Sequence, residues 1–164
     1  MPRAIDVDDC VKGASAAARL LAALAVVATT TGSAQTINGV TPLSFGSFIA
    51  GSGGTITVSP AGLRSPLGGV ILVGQGGGVA AAQFTVTGTA NATYSITLPA
   101  SNTVELSDGN GNVMALNSFV SSPPGTGTLS RGGTQSIRIG ATLIVGPNQT
   151  PGAYSGAFSV TVNY

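Results

Sequence analysis

From residue 43 onward the chain is a succession of short alternating apolar and polar runs, separated by clusters of glycine, proline and asparagine. Such alternation is typical of strands that bury one face, and the clusters are typical of turns. Roughly nine strands of about five to seven residues are predicted, which favours an all-β sandwich or small barrel. The predicted strands cover residues 43–45, 55–58, 70–73, 83–87, 94–98, 113–116, 136–139, 142–145 and 154–164.

The N-terminal part has a different pattern. A short apolar stretch, residues 20–28, follows Lys12 and Arg19 and precedes a Gly-Ser-Ala step that ends at Ala34. Basic residues, a short apolar core and small residues at the positions that a signal peptidase reads predict a secretory signal peptide. We expect cleavage between Ala34 and Gln35. The core is too short to span a bilayer, which takes about 20 helical residues.

These patterns divide the chain into a signal peptide (1–34), a short N-terminal extension (35–42) and a β-sandwich domain (43–164). The domain is expected in the periplasm, at the cell surface or outside the cell. Three aspartates before residue 10 are unusual in a leader, so we interpret a position near Val11 as the natural start.

The composition excludes several classes of function. Six basic residues in 164 cannot form a patch that neutralises phosphates, which excludes a nucleic-acid binder. The chain has no histidine, and its single cysteine, Cys10, belongs to the predicted leader. Without either side chain, no catalytic triad of the usual kind can be assembled. The sequence therefore predicts a protein that is not an enzyme and has no catalytic, cofactor-binding or metal-binding residues.

Two acidic residues follow the leader, Glu105 and Asp108. The segment 108–112 (DGNGN) begins like a calcium loop, but Val113 stands where that loop needs glycine and Phe119 where it needs glutamate. We therefore interpret the segment as a turn. With no other ionisable group near them, the two carboxylates are not expected to act as general acid and base.

The C-terminal residues alternate without a break and predict the longest strand in the chain. Two interpretations stay open: the strand belongs to a closed sandwich, or it borders a hydrophobic groove that another strand fills. In both, Phe158 and Val160 are expected to be buried. One face of this strand carries Tyr154, Gly156, Phe158, Val160, Val162 and Tyr164.

Short motifs run through residues 43–164 in a specific order: LSFG (43–46), GTITVSP (54–60), GLR (62–64), GGV (68–70), FTVTG (84–88), YSITLP (94–99), GTLS (127–130), GGT (132–134), GATL (140–143), PGAYSG (151–156) and FSVTVNY (158–164). With them the chain resembles a secreted bacterial family, domain of unknown function 4402, and more distantly the spore-coat-protein-U-like and chaperone–usher pilus subunits. The resemblance implies an immunoglobulin-like β-sandwich of about 7–9 short strands, incomplete where a neighbouring chain donates a strand.

The function expected from these observations is that of a secreted structural protein of a fimbria-like or coat-like surface structure. It would act by strand-edge association with copies of itself, with pilin-like subunits or with a periplasmic chaperone. Ile37 and Val40 mark a possible donor segment, although residues 35–41 are short for a donated strand of roughly ten residues. Two alternatives stay open: a small outer-membrane β-barrel, and a monomeric secreted adhesive or binding module.

Overall fold

A computed structural model of the protein describes residues 17–24, as backbone, and residues 36–74 and 78–164. The predicted cleavage site between Ala34 and Gln35, the start proposed near Val11, and Cys10 lie outside these residues. The described residues form no helix long and apolar enough to cross a membrane.

Strands account for all the regular elements of the described residues, as the alternating sequence predicts. They are β1 (Ala17–Leu24), β2 (Thr36–Thr41), β3 (Ser44–Ile49), β4 (Gly54–Val58), β5 (Arg64–Gly68), β6 (Ile71–Leu72), β7 (Val79–Ala80), β8 (Ala82–Thr87), β9 (Thr93–Thr97), β10 (Val104–Ser107), β11 (Val113–Ser122), β12 (Thr126–Thr128), β13 (Thr134–Val145) and β14 (Tyr154–Asn163).

The main path of hydrogen-bonded strands has the order β2-β8-β13-β11-β10-β14-β1-β3-β6. Five further strands pair alongside it: β4 joins β13 and carries β5, β9 joins β14 and carries β12, and β7 joins β3. Because the path begins at one edge and ends at another, it stays open. The predicted all-β fold is confirmed, and the arrangement is that of a β-sandwich.

The core is one cluster of apolar side chains contributed by strands from both layers. Burial follows the alternation that the sequence predicts: along β8, Ala82, Phe84 and Val86 are buried while the residues between them are partly exposed. Burying a large apolar side chain contributes about 1.5–3 kcal/mol. These inward faces therefore supply most of what holds the two layers together.

Some details of the predicted strands are wrong. Residues 136–139 and 142–145 belong to one strand, β13, which at 12 residues is longer than β14, with 10. Gly140, between the two predicted segments, is not in a turn. A Cβ there would collide with the carbonyl of Val58, so glycine allows the backbone at the end of β4 to approach closely. Strands β1, β2, β5, β7, β10 and β12 were not predicted, which is why the number of strands exceeds nine.

Residues 36–41, predicted as an extension outside the sandwich, form strand β2 and pair with β8. Ile37 is 4% exposed and packs in the core, whereas Val40 is 57% exposed. The described domain therefore begins with β2 rather than with residue 43.

Candidate strand-docking seam

The inward face of β14 is packed into the core. Tyr154, Phe158, Val160 and Val162 are buried, and the residues between them are exposed or partly exposed. The Phe158 ring lies 6.3 Å from that of Phe84, in an edge-to-face arrangement. This face is therefore fixed by contacts within the domain.

Tyr164 differs from the other residues of the predicted face. It follows the end of β14 and is 46% exposed. Its ring centroid lies 5.8 Å from that of Tyr94 on β9. The alternation thus places the strand correctly up to Val162, and the last aromatic ring covers the end of the sandwich.

The backbone of β14 has different partners along its length. Ser155 pairs with β10, and residues 161–163 pair with β9, both antiparallel. A cavity of about 430 Å³ lies beside β14 between these two contacts, lined by Thr97, Pro99, Thr103 and Ala157 among others. For residues 156–160 of β14, the strand pairing in the described part of the chain is with β1 alone.

Strand β1 lies between β14 and β3. It runs parallel to β14, with Ala18 opposite Tyr154 and Leu24 opposite Val160. It runs antiparallel to β3, with Ala17 opposite Ser47 and Arg19 opposite Ser44. We call these two facing edges, residues 154–160 of β14 and 44–47 of β3, the seam.

The other edge of β3 is covered from within residues 36–164. Short pairings with β7 and β6 cover its two ends. Arg64 covers the part between them, because its Nη1 donates to the carbonyls of Phe45 and Ser47, each at 3.0 Å. The backbone of Val73 also donates to the Ser47 carbonyl. Among residues 36–74 and 78–164, no comparable cover of the seam is found.

Glu105 is exposed on β10, and Asp108 follows the end of that strand. The Asp108 carboxylate accepts hydrogen bonds from the backbone of Asn110, at 2.8 Å, and from the backbone and side chain of Asn112. These bonds, the one from the Asn112 side chain above all, lower the pKa of Asp108. The loop is thus a turn closed by its own side chain. Within the described ranges, no group of three or more acidic or cysteine side chains could hold a metal ion.

Only one of the two borders of the seam could be identified from the sequence. The alternation of residues 154–164 identified one border, β14, but nothing in residues 43–49 identifies β3 as the other. The strand that fills the seam comes from residues 17–24, which the sequence assigned to the leader because they are apolar and short. Ile37 and Val40, the possible donor residues, lie in β2, where Ile37 is opposite Val86 of β8 and Val40 falls at the register shift of that pairing.

These features define a class: an open β-sandwich whose last strand pairs with a segment outside the domain. Residues 35–164 match the family model described as "Domain of unknown function (DUF4402)", and the chain belongs to that family. No curated protein and no solved structure matches the chain.

Proposed function

We propose that this protein is a secreted, non-catalytic structural component of a bacterial surface structure, fimbria-like or coat-like, and that it acts by strand-edge association at the seam. The partners are other chains that supply an extended strand, a second copy of this protein among them. The absence of histidine from the sequence, and of cysteine after Cys10, supports a structural rather than a catalytic role.

One observation carries the proposal: over residues 156–160, β14 has β1 as its one strand partner among the described residues, and β1 lies in the predicted signal peptide. Without residues 1–34, residues 156–160 of β14 would lose this strand partner, and β3 would lie one strand's width from β14 beside Tyr154 and Ser155, where Ala18 and Arg19 pair with both strands. A strand that enters this gap would form a ladder with β14 and a short pairing with β3, as in other cases of strand addition.

The chemistry of β14 favours such an addition. Natural edge strands are protected by lysine, proline or a bulge. Residues 154–160 contain no charged residue and no proline. Peptide groups that are buried without a hydrogen bond cost about 1–3 kcal/mol each, so an open seam in a well-packed sandwich is a strong acceptor for a strand.

The test is self-association of the secreted protein, measured by light scattering over a range of concentrations. We expect the mass to rise with concentration, and Ser159→Lys to move the midpoint to an about tenfold higher concentration, because lysine protects an edge. Ser95→Lys is the matched control: it is also an exposed serine in a strand, but β9 pairs on both sides, with β12 and β14. A protein that stays a single chain at all concentrations, or equal effects of both lysines, would contradict the proposal.

A further inference from the structure

We infer that residues 17–24 are the resident strand of the seam in the unprocessed chain, and that removal of the leader is the step that opens the seam. The inference rests on the function proposed above. It adds what controls access to the seam and the direction in which an incoming strand runs.

The pairing of β1 makes it a central strand of the sheet. Seven consecutive residues, 18–24, are in register with residues 154–160 of β14, and residues 17–19 pair with β3 on the other side, with a register shift between Ala18 and Arg19. The pairing with β14 is parallel, unlike every other strand pair of the described sheet. A chain segment in this position therefore pairs with β14 along most of its length and with β3 at its beginning.

The residues of β1 in register with the inward-facing positions of β14 are all apolar, and the positions in register with its exposed residues are Arg19, Leu21 and Ala23. The residues in register with buried Phe158 and Val160 are Ala22 and Leu24. Arg19, the one charged residue of the segment, is in register with exposed Ser155. Because opposite residues of neighbouring strands share a face of the sheet, this register selects a strand that is small or aliphatic at every second position and tolerates charge at the others.

The same stretch thus has two uses. Residues 20–24 belong both to the apolar core of the predicted signal peptide, which directs export, and to β1, which occupies the seam. Cleavage after Ala34 separates β1 from the domain, and the seam then accepts a strand of the same pattern, running parallel to β14. Association is in this way restricted to chains that have been processed.

The register is tested in the full chain by disulfide trapping, with Cys10→Ser removing the native thiol. Ala23→Cys with Ser159→Cys places the two cysteines opposite each other, within the Cα separation of about 4.4–6.8 Å that a disulfide needs. Ala23→Cys with Ser155→Cys is the control, since the two positions are four residues out of register. We expect the first pair to oxidise within one chain and the second not to. The reverse result would overturn the parallel register.

The control of access is tested by comparing the unprocessed full chain with the secreted protein. We expect the unprocessed chain to remain a single chain at concentrations at which the secreted protein associates. A synthetic peptide of residues 17–24 (AARLLAAL), added to the secreted protein, should suppress association. The reversed peptide (LAALLRAA) has the same composition but cannot match a parallel register, so it should have little effect.

The outcomes separate the two proposals. If the secreted protein neither associates nor binds the peptide, strand-edge association itself is wrong. If the secreted protein associates but the unprocessed chain does so equally, and the in-register cysteines do not oxidise, only the resident-strand inference is overturned.

Discussion

The two edges of β3 are covered in different ways. On its outer edge, β7, β6 and the guanidinium of Arg64 engage the backbone, and all of them belong to residues 36–164. On the edge that faces β14, the described strand partner is β1 alone. The domain therefore supplies the cover for one edge of β3 and takes the cover for the other from a segment that precedes it.

Other outer strands are also protected by residues of the domain itself. The edge strand β5 contains Pro66, which cannot donate a ladder hydrogen bond. The pairing of β2 with β8 contains a register shift between Gly39 and Thr41, and irregularities of this kind disrupt an edge as a template for further strands. Residues 154–160 of β14 contain no charged residue and no proline, and no register shift interrupts their pairing with β1; this difference supports the proposed docking of a partner strand.

The largest effect is expected from the inward face of the seam. Phe158 is 2% exposed and packs against the rings of Phe84 and Phe119. Phe158→Ala should lower the free energy of unfolding by about 3–5 kcal/mol, because it leaves a cavity in the core. Urea unfolding of the purified protein measures this loss.

Ser159→Ala is the control for that substitution, since Ser159 is the exposed neighbour on the same strand. Its effect should lie within about 0.5 kcal/mol. Similar losses for both variants would show that the two faces of β14 are not distinguished by burial, and the seam would then not be a well-defined edge.

A smaller effect is expected on the side of β14 away from β1. A Cβ at Gly156 would collide with the carbonyl of Glu105 and crowd the Leu106 side chain, so glycine allows the close approach of β10. Gly156→Ala should lower the free energy of unfolding by about 1–3 kcal/mol, because it overpacks the space between β14 and β10. Gly152→Ala is the matched control, because a Cβ there makes only ordinary contacts, at 3.6 Å or more. Equal melting temperatures for the two variants would mean that β10 does not fix the position of β14.

The sequence predicted most of the strands of five or more residues but missed shorter ones, among them β10, whose four residues alternate between buried and more exposed positions. Residues 83–87 and 94–98 were placed almost to the residue, since half-buried strands in a sandwich leave a period-two pattern. Because of Gly140, the sequence did not predict that β13 is continuous: a glycine required for close approach cannot be distinguished by sequence from one that ends a strand. The seam could not be predicted in full, since it depends on β3 and β14 meeting the same strand, and pairing between distant segments leaves no local signal.

Removing the cover from the outer edge of β3 tests whether Arg64 protects it. Arg64→Met keeps much of the apolar stem but loses the hydrogen bonds to Phe45, Ser47 and Gly74. We expect the free energy of unfolding to fall by about 1–2 kcal/mol, given that the Arg64 side chain is only partly buried. We also expect the uncovered outer edge of β3 to associate with other chains. Ser159→Lys, which acts on β14, should then no longer suppress association. Arg138→Met, at an exposed arginine, is the control; if it behaves like Arg64→Met, net charge rather than edge cover is responsible.

The smallest effect is expected at the end of β14 that lies beyond the seam. There Tyr94 on β9 donates a hydrogen bond of 2.7 Å to Gln135, and its ring lies near that of Tyr164. Burial, and then the neighbouring Tyr164, raise the pKa of Tyr94 above the ordinary tyrosine value of about 10. A phenol whose pKa is raised by folding stabilises the folded state fully below the unfolded pKa, and this contribution is lost as the pH rises through the folded one. Melting temperatures should therefore fall above about pH 10, and less steeply in Tyr94→Phe. At pH 7 this variant should lower the free energy of unfolding by about 1 kcal/mol, because the hydrogen bond is lost.

Disulfide trapping of the Ala23→Cys, Ser159→Cys pair should be unchanged by Tyr94→Phe at pH 8, since this end of β14 pairs with β9 and not with β1. A trapping yield that falls with Tyr94→Phe would show that the two ends of β14 are not independent, and the seam would then extend to the end of the strand.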